Sequence, residues 1–279
     1  EDLRVAEEAE KTAEAHVKLA EDLFQAGQVV KSDLLSAQVR LSEVKEMVIQ
    51  AKNGLTMGRA ALNKAIGIEQ NEAIEVQGTL EYEPKDLVLE DLINEALQNR
   101  PDLLALENQV KNSEEGIKMA KTSFLPSLNF MAQYDLNDKN DLWNASGESW
   151  TIWGIFHFNL FEGLNGIYKV KEANESLNQF SSQREALRNE IEFEVRGAFY
   201  QLRDAEERVK VAGEAINHAQ ESLRIVDDRY RVGLSTMVEV LDNEVALTRV
   251  KRNYLKAVHD CRVARAKIDL VKGTLSATH

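Results

Sequence analysis

The sequence is poor in the residues that interrupt helices and in those that cross-link a chain. Its 279 residues include 3 prolines, 14 glycines and 1 cysteine. Because proline and glycine are the residues that a helix interior tolerates least, long stretches of this chain can stay helical. Cys261 is alone, which excludes an intrachain disulfide, and the cysteine count therefore indicates no redox compartment.

Long apolar runs and an excess of positive charge are also absent. A transmembrane helix needs about 20 consecutive apolar residues, and the sequence has no such run. The net charge of −13 argues against nucleic acid as a partner, because phosphate binding needs clustered Lys and Arg. No signal peptide is visible, and the first residues already have a helical pattern. We therefore expect that a targeting segment has been removed and that the chain starts inside a longer protein.

Residue types used in catalysis occur, but not in arrangements that support chemistry. His259, Asp260 and Cys261 are adjacent, and neighbouring helical positions point about 100° apart, so they cannot converge on one substrate. No glycine-rich loop suits a phosphate. The sequence predicts no catalytic residues, no metal site, no cofactor and no enzyme. The remaining histidines, which lack the spacing of metal ligands, are His16, His157, His218 and His279.

An ungapped internal similarity is the most informative feature. Residues 24–41, FQAGQVVKSDLLSAQVRL, align with residues 230–247, YRVGLSTMVEVLDNEVAL, at an offset of 206 positions. Helical composition alone would match alanines and charges, but it would not keep two glycines in step without a gap. We interpret the similarity as a duplication, and its period is too long for a solenoid. The same offset pairs Gly27 with Gly233, Leu35 with Leu241, Val44 with Val250, Arg59 with Arg265 and Gly67 with Gly273.

Each copy predicts a helix, a glycine break and a second helix, and hence an antiparallel helical hairpin with a tight tip. Apolar residues recur at spacings of three and four on both sides of the break. Gly27 and Gly233 can take the left-handed conformation that ends a helix. The helix before the second break has no proline over residues 167–229, about 95 Å of helix, a length typical of coiled coils or tubes. Candidate N-caps of the following helices are Ser32 or Asp33 and Ser235 or Thr236.

The segment between the copies predicts a further helix pair and two strands. Residues 90–122 have a helical pattern that breaks before Pro101. After Pro126, two runs alternate, with one apolar face and one largely polar or mixed face. Such strands fit a membrane β-barrel, and on periodicity alone they fit equally well a hairpin that covers a soluble core. The apolar sets are Leu128, Phe130, Ala132, Tyr134 and Leu136, and Trp150, Ile152, Gly154, Phe156, Phe158 and Leu160.

Five short motifs follow one another along the chain: NRPDL (residues 99–103), FLPSL (124–128), NLFEG (159–163), YRVGLS (230–235) and EVLD (239–242). Their order and spacing resemble the TolC-like outer-membrane factor family. The resemblance implies a mainly helical fold, with long antiparallel coiled-coil helices forming a periplasmic tunnel and strands from three subunits closing an outer-membrane β-barrel. Family subunits have two strand pairs and this sequence has one, so we expect an N-terminal part with the first pair to be missing.

The resemblance also suggests roles for residues at the tips and near the membrane. Val232, Gly233, Leu234 and Ser235, with Gly27 in the first copy, are expected to contact a periplasmic adaptor protein; the alternative is that the glycines only end helices. The aromatic side chains at the lipid interface would be Tyr134, Trp143 and Trp150.

Glu239 and Asp242 are three apart on one helical face, and in a trimer they would form two acidic rings that gate the pore and favour cations. The alternative is a solvated acidic face. Tyr230 and Arg231 are candidates for hydrogen bonds that hold the tip closed.

These observations predict an outer-membrane channel subunit of a tripartite efflux or type I secretion system. Its expected partners are two further copies in a homotrimer, an adaptor, an inner-membrane transporter and outer-membrane lipid. A non-transporting coiled-coil scaffold is the main alternative. The predicted segments are a first helical hairpin with linker (1–89), a helix pair (90–126), the barrel hairpin (127–161) and a second long hairpin (162–279).

Overall fold

The computed structural model describes residues 1–74, 76, 86–136, 148–159 and 162–274. They fold into helices and one pair of strands, in agreement with the predicted mainly helical fold. The elements in chain order are α1 (Asp2–Gln25), α2 (Lys31–Ile66), α3 (Leu89–Asn99), α4 (Pro101–Thr122), β1 (Ser127–Leu136), β2 (Glu148–His157), α5 (Asn165–Arg231) and α6 (Met237–Val271).

The chain divides into two compact units. The first, here called the hairpin unit, contains Glu1–Leu92 and Val195–Val271. The second, here called the strand unit, contains Ile93–Glu194 and Lys272–His279. The four-segment division expected from the sequence stays a prediction.

The hairpin unit is built from coiled-coil seams. Buried positions recur at alternating steps of three and four residues, which is the heptad spacing of helices that pack with a left-handed supercoil. Many of these residues are alanines, whose small side chains let the helices approach closely. The seam residues include Ala6, Ala9, Ala13 and Ala20 of α1, Ala37, Val44 and Val48 of α2, Val195, Ala198, Leu202 and Ala205 of α5, and Ala257, Cys261, Ala264 and Ile268 of α6.

The duplication seen in the sequence is repeated in the backbone. The matched glycines Gly27 and Gly233 have φ angles of 70° and 73°, and the next matched pair, Gly67 and Gly273, have 79° and 72°. The helices between these glycines have nearly equal lengths, 36 residues in α2 and 35 in α6. The two copies therefore share the same alternation of helix and left-handed break.

The strand unit contains the predicted helix pair and hairpin. α3 ends at Asn99 and α4 begins at Pro101, as expected for a proline at the first helical position. β1 and β2 pair antiparallel in a register that joins Phe130 to Gly154 and Tyr134 to Trp150. The alternating apolar residues of both strands therefore lie on one face. That face is exposed to solvent, with Phe130 75% and Trp150 72% accessible.

None of the helices in the described part of the chain combines the length and the continuous apolarity that crossing a lipid bilayer requires.

Candidate functional site

The candidate site is the tip of the hairpin unit, where a glycine turn joins α5 to α6. The N–H of Gly233 donates to the carbonyl of Tyr230 at 3.0 Å, and the N–H of Leu234 donates to the carbonyl of Arg229 at 2.8 Å. This pair of bonds defines a Schellman motif, which satisfies carbonyls that the helix end would otherwise leave free. The turn therefore requires a residue that tolerates a positive φ at position 233.

The tip between α1 and α2 has the same motif. Gly27 donates to the carbonyl of Phe24 at 3.0 Å, and Gln28 donates to the carbonyl of Leu23 at 2.9 Å. The two copies of the duplication thus preserve the turn chemistry as well as the glycine.

The N-terminal caps of the two following helices differ. Thr236 caps α6, because its hydroxyl accepts a bond of 3.3 Å from the N–H of Glu239. The prediction that Ser32 or Asp33 caps α2 is wrong. α2 begins at Lys31, its N-cap is Val30, and no side chain caps it. Asp33 lies instead in the first turn, where its carboxylate faces the positive end of the helix dipole.

Apolar side chains at the α5–α6 tip project into solvent. Val232 and Leu234 are each 68% exposed, and Gly233 between them is also exposed. Ser235 is half-buried, and its hydroxyl donates to the carboxylate of Glu239. Helix termination explains Gly233, but it does not explain two exposed branched apolar residues beside it. In the first copy Gly27 is exposed in the same way.

Tyr230 fills the interior beneath this tip. Only 2% of the residue is exposed, and its ring packs with Ala20, Ala37, Met237 and Val240, so that side chains from α1, α2, α5 and α6 share one core. Burial raises the pKa of the Tyr230 phenol, and the nearby carboxylate of Asp33 raises it further. Its hydroxyl has no hydrogen-bond partner within the described residues.

Arg231, the next residue, lies on the surface. Its guanidinium pairs with the carboxylate of Asp227 one helical turn earlier, at 3.0 Å.

Glu239 and Asp242 lie on an exposed face of α6. The residues that α6 buries near its start are Met237, Val240 and Glu244, so the two acidic side chains are directed away from the core. The structure therefore places both predicted gate carboxylates on one accessible face, close to the tip.

The structure adds a group that the sequence interpretation missed. His16, Arg40 and Glu244 are buried among the seam residues of α1, α2 and α6. The available signal was their spacing, because each occupies a heptad position in an otherwise apolar or small-residue stripe.

The aromatic residues expected at a lipid interface belong to the strand unit. Tyr134 and Trp150 are directly paired across β1 and β2, and both are exposed on the apolar face. Trp143 lies outside the described residues. Phe130 and Gly154 are also paired, and a β-carbon at position 154 would meet the Phe130 ring at 3.2 Å. The ring thus covers the space that the glycine leaves.

Arg100, from the NRPDL motif, pairs with two carboxylates of the strand unit. Its guanidinium binds the carboxylate of Asp102 through two bonds of 2.6 and 3.1 Å, and it also binds Glu194 of α5. These bonds, above all the one with Asp102, raise the pKa of Arg100. The Arg100 guanidinium in turn lowers the pKa of the Asp102 carboxyl. The motif therefore joins the start of α4 to α5.

Comparisons with known proteins agree with these features. A family model described as "Outer membrane efflux protein" matches residues 92–274. The outer membrane protein TolC of Vibrio cholerae serotype O1 is 26% identical over 260 residues, covering 91% of this chain and 59% of that protein. The probable efflux pump outer membrane protein TtgC of Pseudomonas putida is 25% identical over 243 residues, covering 82% of this chain and 46% of that protein.

A solved structure shows the same fold. The outer membrane protein VceC of Vibrio cholerae superposes with a TM-score of 0.74 at 16% identity, covering 98% of this chain and 65% of VceC. The chain thus spans only about half the length of the curated relatives it matches. Because the family model matches more than half of its residues, and because the motif order had indicated the same group, this chain belongs to the outer membrane efflux protein family.

Proposed function

We propose that this chain is part of one subunit of an outer-membrane channel, a passive exit duct in a tripartite efflux or type I secretion system. The observation that carries the proposal is the exposed apolar face of the strand pair. An isolated two-stranded hairpin is barely stable in water, and large exposed apolar patches mark sites of interaction with membranes or partners. Strands from other subunits would complete the sheet, and lipid would cover the face around Phe130 and Ile152.

Three copies of the chain would close the channel. Relatives named as outer membrane and efflux pump proteins support an outer-membrane role, as does the fold shared with VceC. In such a trimer, the long helices would enclose a water-filled tunnel in the periplasm. Tyr134 and Trp150 would lie near the membrane interface, where aromatic side chains with a polar atom are favoured.

The exposed tip is proposed as the contact for a periplasmic adaptor protein. Val232 and Leu234 offer apolar surface beside a rigid glycine turn, and Ser235 and Gly27 border the two tips. Burial of two exposed apolar side chains on a partner would be favourable at about 25 cal/mol per Å² of apolar area.

The gate is proposed to involve Glu239 and Asp242, with Tyr230 packed in the core beneath the tip and Arg231 paired to Asp227 beside it. In a trimer, the two exposed carboxylates of each subunit would form two rings of like charge near the tunnel end. Such rings are costly unless hydrated or occupied by cations, so they favour cation passage. An inner-membrane transporter would supply the energy and most of the substrate specificity.

Conductance across a planar bilayer tests the proposal. The purified full-length protein should produce discrete current steps, and its reversal potential in a salt gradient should show cation preference. Replacing Glu239 with Gln and Asp242 with Asn should reduce that preference. The matched control replaces Asp204 with Asn and Glu207 with Gln, an exposed acidic pair with the same spacing on α5.

The outcomes separate the alternatives. A correctly inserted trimer without conductance would favour a non-transporting coiled-coil scaffold of the cell envelope. Conductance with an unchanged cation preference in the Glu239 and Asp242 variant would remove only the gate assignment.

A further inference from the structure

Four ionisable side chains, one each from α1, α2, α5 and α6, meet in the hairpin unit, and all but the half-buried Asp227 are buried. They are His16 of α1, Arg40 of α2, Asp227 of α5 and Glu244 of α6. The side chain of Glu244 is 3% exposed, and those of His16 and Arg40 are each 9% exposed. Burying a charge is expensive unless another charge or a hydrogen bond compensates it, so the arrangement of these groups determines whether the helices pack here.

The imidazole of His16 lies between two carboxylates. Its Nδ1 is 3.1 Å from Oε2 of Glu244, and its Nε2 is 3.7 Å from Oδ1 of Asp227. The other oxygen of Glu244 is 3.7 Å from Nε of Arg40. The imidazole of His16 thus faces carboxylates from both α5 and α6. It therefore connects the α5–α6 hairpin to the α1–α2 hairpin.

The negative and positive charges around the His16 ring are equal in number only when the ring carries two protons. Arg40 also pairs with Glu43 of α2 at 3.2 Å, and Asp227 also pairs with Arg231 of α5 at 3.0 Å. The three carboxylates of Asp227, Glu244 and Glu43 then face two guanidinium groups and His16. An imidazolium balances the third carboxylate, and a neutral ring leaves one negative charge in excess.

The hydrogen-bonding capacity of imidazole also favours a doubly protonated His16 ring. A neutral imidazole has one N–H, and its other nitrogen presents a lone pair. Because both nitrogens of His16 face carboxylate oxygens, a neutral ring would direct that lone pair at an anion. A doubly protonated ring donates to Glu244 at 3.1 Å and places its second N–H group within ion-pair distance of Asp227, at 3.7 Å.

From this geometry we propose that His16 is a proton-dependent clamp between the α1–α2 and α5–α6 hairpins. In its imidazolium form it joins α1 to both α5 and α6, and loss of one ring proton loosens the junction beneath the tip. Because the clamp requires the charged ring, we expect the junction to be more stable at mildly acidic pH than at mildly alkaline pH. This inference concerns the packing of the hairpins and does not depend on conduction.

Thermal unfolding of the full-length protein, followed by its helical circular dichroism signal, tests the clamp. Between about pH 5.5 and pH 8.5, a window that spans the histidine titration range, the wild-type midpoint should fall by at least about 3 °C more than that of His16→Gln. The matched control is His218→Gln, which replaces an exposed histidine of α5 and should keep the wild-type pH dependence. Equal pH dependence in wild type and His16→Gln would overturn the proposal.

A second measurement decides the matter even where His16→Gln does not fold. In protein labelled with ¹⁵N-histidine, the His16 resonances are identified by subtracting those lost in the substitutions of exposed histidines. At mildly acidic pH, both ring nitrogens of His16 should be protonated. In Glu244→Gln, the ring should lose one of these protons at a lower pH than in the wild type. A neutral ring throughout this range contradicts the clamp.

Discussion

At the scale of single residues, Arg100 illustrates how one side chain fixes the start of a helix. Its guanidinium binds Asp102, two residues further on, and Glu194 of α5. The Arg100 side chain is 16% exposed, so its bonds are partly protected from water and salt. Charge-assisted, bidentate pairs in such surroundings contribute more than pairs on an open helix surface.

Replacing Arg100 with Ala should lower the free energy of unfolding by about 1–2 kcal/mol, because two carboxylates lose their partner. Denaturant unfolding of the purified protein measures this loss. The control is Arg224→Ala, which removes an exposed guanidinium that pairs with Glu221 and Asp228 on its own helix. The control should change the free energy of unfolding much less than Arg100→Ala does, because exposed ion pairs contribute little. Equal effects would show that the burial of Arg100 has no energetic consequence.

The pH dependence of this pair has a definite sign. Arg100 lowers the pKa of the Asp102 carboxyl in the folded protein. The contribution of the Arg100–Asp102 pair to stability is therefore fully present above the pKa of the unfolded carboxyl, about 3.9. It is lost as the pH falls through the lower pKa of the folded protein.

The glycine turn allows a prediction in which the same substitution has opposite effects at two sites. Gly233→Ala should destabilise the protein by about 1–2 kcal/mol, since its φ of 73° is unfavourable for alanine. Gly197→Ala should stabilise it by up to about 1 kcal/mol, because Gly197 lies inside α5 with open space around its missing β-carbon. Unfolding midpoints of both variants check the prediction. A stabilised Gly233→Ala protein would show that the turn does not need the left-handed conformation.

At the scale of elements, the sequence predicted the helices and strands well because each has a strong period. The uninterrupted helical pattern over residues 167–229 became α5, Asn165–Arg231, and the two alternating runs became β1 and β2. The duplication correctly predicted the paired glycine turns. The cap of α2 was mispredicted, because capping depends on where the helix begins within one or two residues, and periodicity does not fix that boundary.

The strand pair allows a test with neighbouring residues on opposite faces. Ile152 lies on the apolar face opposite Ala132, whereas Thr151 lies opposite Gln133 on the other face. Lysine on a lipid-facing strand position costs about 2–4 kcal/mol near the bilayer centre. We expect Ile152→Lys to reduce the amount of inserted protein strongly and Thr151→Lys to leave most of it.

Fractionation of outer membranes, with quantification of the inserted protein, measures this difference. Equal insertion of the two variants would contradict a lipid-facing assignment of the apolar face. An equal and strong decrease in the inserted amount of both variants would also contradict it, since it would show that both faces of the strand pair are buried in protein.

At the scale of the whole molecule, family motifs predicted what periodicity could not. The alternating strands alone fitted a soluble core and a membrane barrel equally well, and the order of the five motifs favoured the barrel. The buried junction of His16 and Glu244 was beyond such reasoning. The two residues are 228 positions apart, and their contact depends on the register of two coiled-coil seams. Nothing local in the sequence specifies that register.

The arrangement of complete subunits tests the central claim most directly, and electron cryo-microscopy of the full-length protein in detergent measures it. We expect three copies around a water-filled axis, with Glu239 and Asp242 directed toward that axis and Ile152 directed toward the detergent. A monomer whose strand pair packs Phe130 and Ile152 against its own interior would contradict the channel.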